Sequence, residues 1–207
     1  MNEANPTTSS PIEPIHGDVV WHGRDMAQRT DWIHHLEHTE IGELETAIAR
    51  IRAQGTDIID VSKDDFPLPS LGPALAQIRR DLVDGRGFAL IRSIPVDRWS
   101  HEDVALAFWG IGRYLGEAIM QNRKGHVLGH VTDIGVDPTN PRFRGYQSAA
   151  DLMPHTDIAS DLVALLCLRP AKSGGLSMIA SASAIFNEIL ERRPSLAQVL
   201  TQPFYID

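Results

Sequence analysis

Leu152-Met153-Pro154-His155-Thr156-Asp157 leads, after a short connection, into Leu162-Val163-Ala164-Leu165-Leu166-Cys167-Leu168 and then Arg169-Pro170-Ala171-Lys172-Ser173-Gly174-Gly175-Leu176-Ser177. The apolar run Leu162 to Leu168 has strand length. Ser173-Gly174-Gly175 has turn chemistry, and Leu176 to Ala180 is a second apolar run, so the stretch predicts a hairpin or sheet corner. His155 and Asp157 stand two residues apart just before it. In extended chain, residues two apart point to the same side, so an imidazole and a carboxylate can converge on one ion. Two histidines and a carboxylate on one face suit non-haem iron(II), because the opposite positions stay open for a co-substrate and oxygen.

His-x-Asp is a cheap motif, and the chain has three of them: His16-Gly17-Asp18, His101-Glu102-Asp103 and His155-Thr156-Asp157. The first lies at the edge of a polar, proline-bearing start, where nothing is expected to hold the ligands in place. The second falls in the first turn of a predicted helix. Residues two apart there diverge, and Ser100 with Asp103 has a capping explanation. Only the third sits between a non-helical stretch and an apolar strand. The bland alternative is a satisfied histidine near a strand end and an aspartate capping a turn.

Outward from this stretch, the first half of the chain reads as helical. Ile41, Leu44, Ile48 and Ile51 recur at helical spacing with Gly55 as a left-handed stop. A second helix starts near Ser70, tolerates Pro73 in its first turn, carries Leu75, Ile78 and Leu82, and ends around Gly85. Gly87 to Arg92 is a strand candidate. A third helix begins at Ser100 and presents Val104, Phe108, Ile111 and Leu115 before Gly116. After Gly125 the punctuation changes, Asp137 to Pro141 reads as an extended loop, and the second half is expected to be β-rich up to two closing helices, Ser183 to Arg192 and Ser195 to Leu200. Within the first of these, Ile185, Ile189 and Leu190 are expected to face inward.

Composition bounds the function. The 207 residues are 43% hydrophobic and 22% charged, enough for one sizeable core, with residues 1–20 as a loose tail and 21–207 as a single domain. A formal charge of -8 provides no basic stripe for phosphates, so neither nucleic acid nor an anionic membrane surface is an expected partner. The lone Cys167 lies in an apolar run and is expected to be a buried thiol. With no signal-peptide pattern at the start and no apolar run approaching the roughly 20 residues of a membrane span, the expected location is the cytoplasm.

Tyr146-Gln147-Ser148, the Met153-Pro154-His155-Thr156-Asp157 segment and the Leu165 to Ser177 run together resemble the taurine dioxygenase (TauD/TfdA-like) family. Asp84 to Arg92 and Trp109-Gly110-Ile111-Gly112-Arg113-Tyr114-Leu115-Gly116 resemble that family's N-terminal region, so the likeness runs from about Trp21 to Asp207. The resemblance implies an α+β fold, a partial double-stranded β-helix (jelly roll, clavaminate synthase-like) with flanking N-terminal helices. It implies an iron(II)/2-oxoglutarate-dependent dioxygenase that oxidises a small organic substrate with O2, decarboxylating 2-oxoglutarate to succinate. His155 and Asp157 would be the catalytic metal ligands, and the Ser177 hydroxyl would help hold a carboxylate of 2-oxoglutarate. Gln147 and His130 would line the pocket.

The chain also departs from that pattern. The family's second histidine and its 2-oxoglutarate-binding arginine should follow on later strands, yet no histidine follows His155. The later arginines are Arg169, Arg192 and Arg193. A fragment of a longer product, or a truncated and inactive jelly-roll binding module, is therefore the rival reading. A metal- or nucleophile-dependent hydrolase ranks below both, for want of a serine elbow or a zinc-type ligand cluster. Unpaired sheet edges in an incomplete jelly roll lead to an expectation of self-association.

Overall fold

The computed structural model describes residues 12–121, 126–137, 147–148, 150–157 and 160–204. These fall into two compact units, one of Met1–Trp32, Asp81–Ala89 and Ile179–Asp207, the other of Ile33–Arg80 and Leu90–Met178.

The second unit is organised by helices with apolar faces. Strand β1 (Ile33–His35) leads into helix α2 (His38–Gln54), which follows the short helix α1 (Gly23–Met26) of the first unit. Along α2, Leu44, Ala47, Ile48 and Ile51 are buried, a stripe at intervals of three and four residues. The helix stops where Gly55 takes φ 67°, a left-handed geometry that glycine adopts without the Cβ penalty. Its N-terminus is closed by Glu40, whose carboxylate accepts from the Glu37 amide at 2.8 Å. Helix α3 (Leu71–Val83) buries Leu71, Leu75 and Ile78. Strand β2 (Leu90–Arg92) pairs in parallel with β1, Ile33 opposite Leu90 and His35 opposite Arg92. A parallel pair needs a long crossover, and the chain between the strands supplies it as α2, a 3-10 turn at Ile58–Asp60 and α3.

Helix α4 (His101–Leu115) begins at Ser100, whose hydroxyl accepts from the Asp103 amide. It packs with α2 and buries Val104, Leu106, Ala107, Trp109 and Ile111. The buried Trp109 indole needs an acceptor and donates to the Val61 carbonyl at 2.9 Å. Tyr114 donates its hydroxyl proton to the Phe66 carbonyl and accepts from the Leu68 amide, both at 2.9 Å, fastening segment 66–68 to α4.

In the first unit, Trp21 and Trp32 each pack a ring against Phe88, with centroids 4.9 and 5.5 Å away. Beside them the Arg86 guanidinium bridges Asp31 at 3.1 Å and Asp81 at 3.2 Å. Helix α5 (Ala182–Arg192) starts at Ser181, whose hydroxyl accepts from Ala184 and donates to the Val19 carbonyl. Asn187 of α5 holds the Ile15 backbone at both its N–H and its C=O, each at 2.8 Å. Helix α6 (Pro194–Leu200) has its proline in the first turn, where the missing N–H costs nothing.

The helices expected from periodicity are thus present, and the strand candidate at Gly87 to Arg92 shortens to Leu90–Arg92. Three expectations need correction. Among the described residues no strand follows Arg92, so Leu162 to Leu168 and Leu176 to Ala180 are not strands here. A strand needs a neighbour for its N–H and C=O groups, and no described segment pairs with either run. Without a partner their side chains are not covered: Leu165 is 78% exposed, Leu176 91% and Met178 87%. Cys167 in the same run is exposed, not buried. Ile185 on α5 is also exposed, while the small Ala184 beside it is buried and Ile189 and Leu190 are half-buried. The jelly roll itself is not displayed by the described residues, whose sheet is the two-stranded β1–β2 pair. No helix among them is long and apolar enough to cross a membrane.

Candidate active site

His155, Thr156 and Asp157 lie in irregular, exposed chain within the second unit. Pro154 fixes its own φ and biases Met153 toward extended backbone. The ring of His155 turns back onto this dipeptide, with Nδ1 2.7 Å from the Met153 carbonyl oxygen. A carbonyl can only accept, so Nδ1 carries the proton, and in the neutral ring Nε2 then keeps its lone pair. The imidazole therefore offers one nitrogen to an incoming ligand or ion. The Asp157 carboxylate stands two residues on, also exposed.

These two side chains supply the nitrogen and oxygen donors that non-haem iron(II) takes, and in that respect they fit such an ion. They provide two donors of a three-donor face. Among the described residues, no group of three histidine, cysteine, aspartate or glutamate side chains comes together as a metal site.

Ser177 lies in exposed chain beyond the double-glycine turn. Gly174 and Gly175 have φ of 71° and 69°, so the turn expected at Ser173 to Gly175 is formed by two consecutive left-handed residues. A Cβ at Gly175 would come within 2.8 Å of the Ala171 Cβ, which excludes a side chain there. Gln147 is half-buried and its carbonyl accepts from the Ile134 amide at 3.0 Å, and His130 is exposed. Tyr146 lies outside the described residues.

The competing His-x-Asp motifs behave as their positions imply. His101 to Asp103 forms the first turn of α4, and Asp103 pairs with Arg52 at 2.8 Å. His16 and Asp18 flank Gly17, which has φ 97°, in exposed chain. The partner of His155 that side-chain reasoning missed is a main-chain one, the Met153 carbonyl. Its signal in the sequence is Pro154, which restricts the residue before it.

The first unit contains a groove of about 670 Å³, bounded by Trp21, Ser181, Ile185, Ile189 and Leu196 among others. None of the residues expected at the active site lines it.

Comparison with known proteins bears on residues 50–207, which match the family described as "Taurine catabolism dioxygenase TauD, TfdA family". The span includes the His155 motif, the double-glycine turn and Ser177. The chain is 32% identical over 185 residues to FR-33289 synthase of Streptomyces rubellomurinus, covering 89% of this chain and 54% of that protein. It is 26% identical over 200 residues to "Taurine hydroxylase-like protein SAT17" of Stachybotrys chartarum, covering 93% of this chain and 52% of that protein. The chain thus spans about half the length of the curated relatives it matches.

Proposed function

Since the chain belongs to the taurine dioxygenase (TauD/TfdA) family, we propose that it carries the His-x-Asp part of the site of an iron(II)/2-oxoglutarate-dependent oxygenase acting on a small organic molecule. The observation that carries this reading is the family match across residues 50–207, a span that contains the His155-Thr156-Asp157 motif followed by an apolar run and a Gly-Gly-x-Ser turn. His155, through Nε2, and Asp157 would hold the iron. Ser177, at the last position of the turn motif, would donate its hydroxyl proton to a carboxylate oxygen of 2-oxoglutarate. When bound, the metal with 2-oxoglutarate and O2 supplies oxidation of a C–H bond coupled to release of succinate and carbon dioxide.

The work left to this chain's own residues is orientation. A neutral imidazole and an ionised carboxylate, two residues apart, are both needed as donors. The Gly174-Gly175 turn sets the direction of the chain that carries Ser177, and left-handed φ at both positions makes it intolerant of other residues.

Thermodynamic linkage provides the test. If 2-oxoglutarate and iron(II) share a site, each must tighten the other by the same factor. Anaerobic equilibrium dialysis of iron(II) with the intact chain should show tighter binding when 2-oxoglutarate is present, and His155→Ala and Asp157→Ala should remove that gain. Iron affinity indifferent to 2-oxoglutarate, or equal in the variants, would refute the assignment.

A further inference from the structure

The contact at 2.7 Å between His155 Nδ1 and the Met153 carbonyl oxygen is a local one, made across Pro154. A free neutral imidazole has two tautomers, and only one of them leaves Nε2 available as a donor. The carbonyl accepts and cannot donate, so the contact exists only with the proton on Nδ1. Pro154 contributes twice. Its ring disfavours helical backbone at Met153, which holds that carbonyl on one side of the following residues. It also makes the Met153 carbonyl part of a tertiary amide, which has no N–H of its own to occupy a neighbouring acceptor.

We infer that Met153-Pro154 is a positioning element: it fixes the Nδ1–H tautomer of His155 before any metal arrives and dedicates Nε2 to the metal. This rests on the iron-site reading for the identity of the ion but not for the tautomer, which is a property of the metal-free chain. Outer hydrogen bonds to metal-bound histidines commonly change affinity 10- to 100-fold when removed. Because this one is solvent-exposed, the lower end of that range applies, roughly tenfold. The side chain of Met153 has no part in it, so only changes that alter the backbone there should matter.

The experiment is 15N NMR of the intact chain labelled at histidine, above the ordinary histidine titration range, without metal and then with Zn(II) alone as a diamagnetic probe. The proposal expects a protonated Nδ1 and an unprotonated Nε2 at His155 before metal, and a shift of the Nε2 resonance on adding Zn(II). Pro154→Ala should move the tautomer ratio toward Nε2–H and weaken Zn(II) binding about tenfold, while Met153→Leu changes neither. A predominantly Nε2–H tautomer in the unaltered chain overturns the positioning role even if metal binds. A Pro154→Ala spectrum identical to that of the unaltered chain does the same for Pro154. The Nδ1–H tautomer with no response of Nε2 to Zn(II) leaves the ring orientation in place and instead removes the metal-ligand reading on which the inference rests.

Discussion

Glu43 projects from α2, and its two carboxylate oxygens accept from the amides of Ser70, at 2.8 Å, and Leu71, at 3.1 Å. It thereby satisfies N–H groups at the start of α3 that have no partner within that helix. Burial pushes the Glu43 carboxyl up, but hydrogen bonds from Ser70 and from the Leu71 and Ser70 amides outweigh it and leave the group below its ordinary value. A group depressed in the folded state stabilises above its unfolded pKa, and that contribution is lost as pH falls through the lower, folded value. Glu43→Ala should therefore cost about 1 kcal/mol near neutrality, as loss of a helix cap does. Glu43→Gln should reduce the fall of Tm on acidification below the ordinary glutamate range. Thermal melts over a pH series check both. Tyr114 makes a second such claim. Its hydroxyl is both acceptor for Leu68 and donor to Phe66, so Tyr114→Phe leaves a part-buried amide unpaired at about 1–3 kcal/mol, measurable by denaturant unfolding.

On α4, Gly110 shows how a packing contact reverses a propensity. Glycine inside a helix ordinarily costs about 1 kcal/mol relative to alanine, so Gly110→Ala should stabilise if propensity alone mattered. A Cβ at Gly110, however, would overlap the ring of Phe66, which is wholly buried and has nowhere to move. Overpacking of this kind costs about 1–3 kcal/mol, so Gly110→Ala should lower stability, and chemical denaturation would show the sign. The same contrast marks what the sequence made legible. Helices α2, α3 and α4 were readable because each states its face through residues three and four apart and its ends through Gly55, Ser100 and Gly116. Strand β1 was not, since Ile33-His34-His35 is three residues long and has no alternation to read; only its pairing with β2 defines it. The runs at Leu162 and Leu176 read as strands from their apolar content, their length and the turn between them. A strand is a relation between two segments, and content cannot supply the second. At the site, the His-x-Asp pair and the double-glycine turn were visible in the side chains and glycines, whereas the Met153 carbonyl, common to every residue type, was not.

At the scale of the molecule, the second unit combines a buried core around Leu44, Phe66, Leu71 and Leu75 with the exposed apolar residues Leu165, Leu176 and Met178. Large exposed apolar side chains close together in sequence favour association. Sedimentation velocity of the chain should show concentration-dependent self-association, and Leu165→Ser with Leu176→Ser should reduce it; a monodisperse monomer for the unaltered chain would contradict this. The chain's place in the taurine dioxygenase family is fixed by the match over residues 50–207, and the claim on which the functional account depends is that His155 takes part in a shared iron and 2-oxoglutarate site. The measurement closest to that claim is the visible charge-transfer absorption that iron(II) and 2-oxoglutarate produce when they bind together, recorded anaerobically with the intact chain and with His155→Ala. A band in the intact chain that disappears in the variant is the expected result. A band of equal strength in the variant would contradict the account, as would no band together with iron binding no better than the variant's.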